Sequence, residues 1–131
     1  MPITYTVDRE RGRIVATADG RVDHPTILDH IEQLRAEGIL DLTELVDATR
    51  ATADITAEDI RGIVTRLQTL GSQYALGPAA IVTAHDVTFG MLRMLGMLVE
   101  PFCDVQPFRT PGEAETWLGS IPGPRPPHWG K

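Results

Sequence analysis

Side chains able to do chemistry are few in this sequence, and their spacing decides what they can do. The histidines are His24, His30, His85 and His128. Two metal ligands on one helix need a spacing of three or four to share a face. His24 and His30, the nearest pair, are six residues apart, which predicts no metal site. Cys103 is the single cysteine, so no intramolecular disulfide is available. Its place beside Phe102, after an apolar run, reads as a buried thiol, because an activated one needs a base or positive charge next to it. His85 and Asp86 are a proton-transfer pair by residue type. Sequence neighbours usually point apart, however, and Asp86 stands where it would cap the helix that begins at Val87. The expectation is a cap beside an exposed histidine. Thr56 has Asp59 three residues on, the spacing of a capping box in which hydroxyl and carboxylate each satisfy a free backbone N–H. Gly71 to Gly77 follows a helix and not a strand, so no glycine-rich phosphate loop is present. The sequence therefore predicts no catalytic residue, no metal and no cofactor.

Bulk properties narrow the field further. With 131 residues the chain has enough material for one hydrophobic core. Twelve basic residues against eighteen acidic ones give a net charge of -6, and the basic residues are scattered, which argues against nucleic-acid binding. The first twenty residues hold Asp8, Arg9, Glu10, Arg11 and Arg13 without an apolar run, so no secretory leader is expected. Arg93 and Glu100 interrupt the best candidate for the roughly 20 apolar residues of a membrane helix. A cytoplasmic protein without a membrane span is the expectation.

The elements that must position these residues are organised around Ala79 to Phe102. Ala79-Ala80-Ile81-Val82-Thr83-Ala84 reads as a strand covered on both faces. From Val87 the apolar residues change to helical spacing, with Met91, Leu95, Leu98 and Phe102 in one stripe that Leu92, Met94 and Val99 widen. Ahead of this unit, Ile3, Tyr5 and Val7 alternate with threonines and pair with Arg13 to Asp19 as an antiparallel hairpin. His24-Pro25 then opens a helix with His24 at the cap, carrying Ile27, Leu28, Ile31 and Leu34 to a stop at Glu37-Gly38. Glu44 to Ala48 is a short strand and Thr49 to Ile55 a polar loop. The Thr56 helix presents Ile60, Ile63, Val64, Leu67, Leu70 and Tyr74. After the central unit, Asp104 to Phe108 is an edge strand because Pro107 cannot donate to a ladder. Thr110-Pro111-Gly112-Glu113 caps a last helix through Ala114, Trp117 and Leu118. Residues 120–131, with prolines 122, 124, 126 and 127, read as an extended tail; disorder is the expectation, and Trp129 pinning it to the domain or a short docking segment are the alternatives. The order ββαβαβαβα predicts one α/β domain over residues 1–119 with four helices. Its sheet has five strands, mainly parallel, with the N-terminal strand added antiparallel.

That order resembles the STAS-like superfamily, the fold of bacterial anti-sigma-factor antagonists, in a branch of short uncharacterised bacterial proteins. The residues that carry the resemblance are Leu45-Val46-Asp47 with the loop to Thr56, Ala80-Ile81-Val82, and Phe89-Gly90-Met91-Leu92-Arg93-Met94. The ending Phe108-Arg109-Thr110-x-x-Glu113-Ala114-x-x-Trp117-Leu118 completes it. The sigma-regulating branch would imply a phosphorylatable serine in an Asp-Ser-x-Gly pattern at the start of the helix after the third strand. This chain has Ala53-Asp54-Ile55-Thr56-Ala57 there, with Thr56 as the only hydroxyl.

Ligands of open α/β sheets sit at the carboxyl ends of strands. Arg21, Asp47, Thr49, Arg50, His85, Asp86 and Thr88 are expected there. Met91, Met94 and Met97, interleaved with leucines, wrap their helix almost completely and leave apolar surface beyond what the sheet covers. Two functions fit these features. The first is a non-enzymatic regulatory module that binds a protein partner, or a second copy as a homodimer, through this helix. The alternative is a small carrier or sensor with an apolar or acyl ligand under Met91 and Met94, an idea that the lipid-transferring CRAL-TRIO neighbours of the fold also suggest. Arg50 or His85 would meet the ligand's polar end, while Thr56 and Thr88 complete the candidate ligand and partner residues.

Overall fold

Strands β1 (Ile3–Asp8) and β2 (Arg13–Asp23) form the expected antiparallel hairpin in the computed structural model, which describes residues 2–127. Gly12 closes the turn with φ +62, a left-handed conformation that suits glycine. From β2 the chain adds β3 (Thr43–Asp54), β4 (Ala79–Val82) and β5 (Val105–Phe108), each parallel to the last. Spatial order equals chain order, β1-β2-β3-β4-β5. Right-handed crossovers taken always in one direction place helices α1 (His24–Ala36), α2 (Ala57–Gly71) and α3 (Asp86–Val99) on the same sheet face. Helix α4 (Pro111–Ser120) covers the other face, where Ala114 and Leu118 pack on Ala80 and Val82. The element order, the five strands and the four helices are those expected from the sequence.

Two strands are longer than expected. β2 continues from Asp19 to Asp23, and β3 runs through the presumed loop to Asp54, with pairing kept as far as Asp23↔Asp54. A bulge makes this possible: between Thr17↔Asp47 and Asp19↔Arg50 the β3 side holds one more residue than β2. Beyond it Ala51 turns inward and is buried, while Arg50, Thr52 and Asp54 point outward. Ion pairs Arg50–Asp19 at 3.0 Å and Arg21–Asp54 tie the two extensions together. Arg21, Asp47, Thr49 and Arg50 therefore lie within strands and not after them.

Caps follow the sequence in part. Thr56 and Asp59 form the complete capping box, and Thr110 accepts from the Glu113 N–H at 3.2 Å. At α1 the cap is Asp23 and not His24; its carboxylate accepts from the Thr26 N–H at 3.1 Å and the Thr26 hydroxyl at 2.6 Å. These bonds, the hydroxyl's first, hold the Asp23 carboxyl below its ordinary range. Pro25 is then the second helical residue, where a missing N–H costs nothing. Asp86 does not cap α3. His85 occupies that position without a side-chain bond, and Asp86 turns out to Arg109 at 2.8 Å.

The C-terminal segment leaves α4 and returns to the domain. The Arg125 backbone bridges Leu76 in both directions, at 3.0 and 2.8 Å, and its guanidinium pairs with Asp104 at 3.2 Å. The expectation of a loose tail thus gives way to an anchor at Arg125, whereas His128 and Trp129 lie outside the described residues.

Helix α3 lies unusually close to β5. A Cβ at Gly96 would sit 2.2 Å from the Val105 carbonyl oxygen, which no real contact allows, while one at Gly90 of the same helix would meet nothing within 4 Å. Gly96→Ala should therefore destabilise the fold by about 1–3 kcal/mol or more through overpacking. Gly90→Ala should instead stabilise it by about 0.5–1 kcal/mol through helix propensity. Urea unfolding of the two variants checks this, and equal effects would refute the close approach.

Candidate functional site

Alanine is the recurrent residue on the sheet face beneath α1, α2 and α3. Ala18, Ala48, Ala51, Ala53 and Ala79 all point to that side and leave the space a larger side chain would fill. The helices do not close the gap. Buried residues of α2 and α3, among them Ile60, Ile63, Leu95 and Val99, form one cluster, and Ala18, Val22, Ala48 and Ala51 form a separate one. Between them is a cavity of about 200 Å³. Val46 and Ile81, central in the sheet, line it and are half-buried.

The lining is apolar apart from His30, Glu44, Thr88 and the Cys103 thiol. His30 comes from the inner side of α1 and Glu44 from the start of β3. They meet at 2.6 Å between Nε2 and Oε2, with side chains only 12 and 13% exposed. Tyr5 lies edge-on to the His30 ring at 5.5 Å between centroids. Its hydroxyl donates to Glu37, and burial first, then Glu37, pushes its pKa up to about 12. The Nδ1 of His30 is buried without a hydrogen-bond partner among the described residues. Such an atom is costly to leave unpaired, on the order of 1–3 kcal/mol.

The candidate residues separate into three places. Thr88 and Met91 line the cavity, and the Thr88 hydroxyl accepts from the Ala53 N–H at 3.4 Å. Met94 lies outside the cavity on the water-facing side of α3, 42% exposed, together with Val87 at 75%, Met97 at 71% and Leu98 at 47%. Arg50, Thr56 and His85 are exposed, and none of them lines the cavity. The ionisable side chains His30 and Glu44, and not Arg50 or His85, line the cavity. Neither His30 nor Glu44 stood out in the sequence: their 14-residue separation follows no local period. The one available signal was an acid heading an otherwise apolar strand.

No protein-family profile matches this chain, and no curated protein matches its sequence. Solved structures do. An uncharacterised protein of the DUF3478 family from Shewanella loihica PV-4, described as having a SpoIIAA-like fold, superposes with a TM-score of 0.58 at 14% identity. The match covers 88% of this chain and 93% of that one. An anti-sigma factor antagonist from Mycobacterium paratuberculosis gives 0.56 at 15% identity, over 89% and 94%. The chain has the SpoIIAA-like, STAS-like fold.

Within this STAS-like fold the start of α2 carries no serine. The Thr56 hydroxyl there accepts from the Asp59 N–H at 3.0 Å, and the Asp59 carboxylate accepts from the Thr56 N–H at 2.9 Å. The hydroxyl's local role is complete. No helix among the described residues is long and apolar enough to cross a membrane. Cys103 is buried, and that burial, followed by the nearby Asp104 carboxylate, pushes its thiol up to about 12. A thiol so placed is protonated at neutral pH and hidden from reagents. Disulfide-exchange labelling at pH 8 should therefore be slow in the folded protein and fast in urea. Equal rates would place the thiol at the surface.

Proposed function

We propose that this protein is a non-enzymatic STAS-like regulatory module that acts through protein contacts, and that its first partner is a second copy bound through α3. The outer stripe of α3 carries the reading. Val87, Met94, Met97 and Leu98 recur at helical spacing as a water-facing stripe beside the buried Leu95 and Val99. A folded chain seldom leaves such a stripe to water, and methionine adapts readily to a partner surface. Arg93 and Glu100 flank it, both exposed and neither in an ion pair among the described residues. In a two-fold pairing the helices run antiparallel, and one crossing between Gly96 and Met97 sets each Arg93 beside the other copy's Glu100.

The side chains weigh against catalysis. Asp86 is held by Arg109 away from His85, Cys103 is a protonated buried thiol, and the His30–Glu44 pair sits under the helices. The solved anti-sigma factor antagonist of the same fold lends the regulatory reading its support.

Sedimentation equilibrium tests the proposal. Wild type should dimerise, and Met97→Lys should weaken the dimer about tenfold or more, the effect of burying a charge in an apolar contact. Arg93→Glu should weaken it as well, and the exchange Arg93→Glu with Glu100→Arg should restore it. A wild-type protein that stays monomeric, or a dimer insensitive to all these changes, would contradict the reading.

A further inference from the structure

We propose that the cavity beneath α1, α2 and α3 binds a small, uncharged, mainly hydrocarbon molecule that carries one hydroxyl group. Its volume is about 200 Å³, and a dry cavity of about 150 Å³ already takes benzene, so the occupant has on the order of ten non-hydrogen atoms. Its walls are alanine, leucine, isoleucine and methionine, which select against charge and against water.

The polar specificity comes from His30. A carboxylate can only accept, so at 2.6 Å the His30 Nε2 donates its proton to Glu44. That leaves Nδ1, enclosed and without a partner among the described residues, as the group that a small turn of the ring would present to the cavity. In the neutral ring Nδ1 accepts, and in the charged ring it donates. A hydroxyl does both and satisfies it in either state. A ligand carboxylate would instead be placed close to the buried Glu44 carboxylate, and like charges in an apolar enclosure repel strongly. Thr88, the other hydroxyl of the lining, can give or take a second bond. The site lies on the inner side of α3 and is independent of the outer stripe proposed for association.

Calorimetric titration of the whole protein with three probes of one shape tests this: para-propylphenol, propylbenzene and para-propylbenzoate. The phenol should bind saturably, about tenfold tighter than propylbenzene, the ratio one net hydrogen bond supplies. The benzoate should bind more weakly than the phenol. Ala51→Leu fills the cavity from β3 and should abolish binding of all three while circular dichroism shows the fold retained. His30→Gln keeps a donor for Glu44 but has no ring nitrogen to spare, and it should bring phenol and propylbenzene to equal affinity. The proposal is overturned by no saturable heat from any probe, by equal affinity of phenol and propylbenzene for wild type, or by undiminished binding to folded Ala51→Leu. A phenol preference surviving in His30→Gln overturns the role given to His30.

Discussion

The alanines on the inner sheet face set the distance between the sheet and its helices. A sheet carrying valine or leucine at Ala18, Ala48, Ala51 and Ala79 would interdigitate with α2 and α3 in one continuous core at interior density. Here α2 and α3 pack together over the middle of the sheet, through Ile60, Ile63, Leu67, Leu70, Leu95 and Val99, and the sheet beneath keeps a thin cluster of its own. The layers are joined at the edges, where Ile14 of β2 packs with Leu34 of α1 and α3 meets β5, and by Ile27, which touches both clusters. On the opposite face the ordinary arrangement returns, with Ala80 and Val82 packed directly under Ala114 and Leu118.

Helix α3 is the element most shaped by this arrangement. Gly96 brings it against the Val105 carbonyl, so its position beside β5 is fixed by backbone contact. Arg109 holds its N-terminal end twice, stacking over Phe89 at 4.2 Å and pairing with Asp86. Anchored so, the helix turns Met91, Leu92 and Leu95 into the cavity and Met94 and Met97 outward. The excess of apolar residues in its sequence is therefore two surfaces with different surroundings, one internal and one facing water.

The order of elements and the strand directions were legible in this chain, and most side-chain contacts between distant elements were not. Thr56 with Asp59 and Thr110 with Glu113 read correctly because a cap depends on three or four neighbouring residues. Pro25 misplaces the α1 cap by one position: as the first helical residue it makes His24 the cap, but proline is tolerated elsewhere in the first turn and the Asp23 carboxylate is the cap. Asp86 had the spacing of a cap but met Arg109, a residue 23 positions on whose approach depends on β5. The second half of β3 read as a loop because TRATAD is polar and its inward residues are alanines, which carry too little hydrophobicity to register as alternation. The same smallness that hid the strand makes the cavity. His30 and Glu44 were invisible as a pair because only the crossover from α1 to β3 brings them together. The apolar excess of α3 could be seen in the sequence, whereas its division into an inner and an outer face could not.

The central claim is that an apolar cavity lies between the inner alanines of the sheet and the helices above them. A crystal structure under xenon pressure tests it most directly, because xenon enters dry apolar cavities and marks them with strong scattering. The account predicts xenon between Ala48 and Ala51 of β3 and the inner side of α3. A crystal with no xenon there, and with α2 packed directly on Val46 and Ile81, would contradict it.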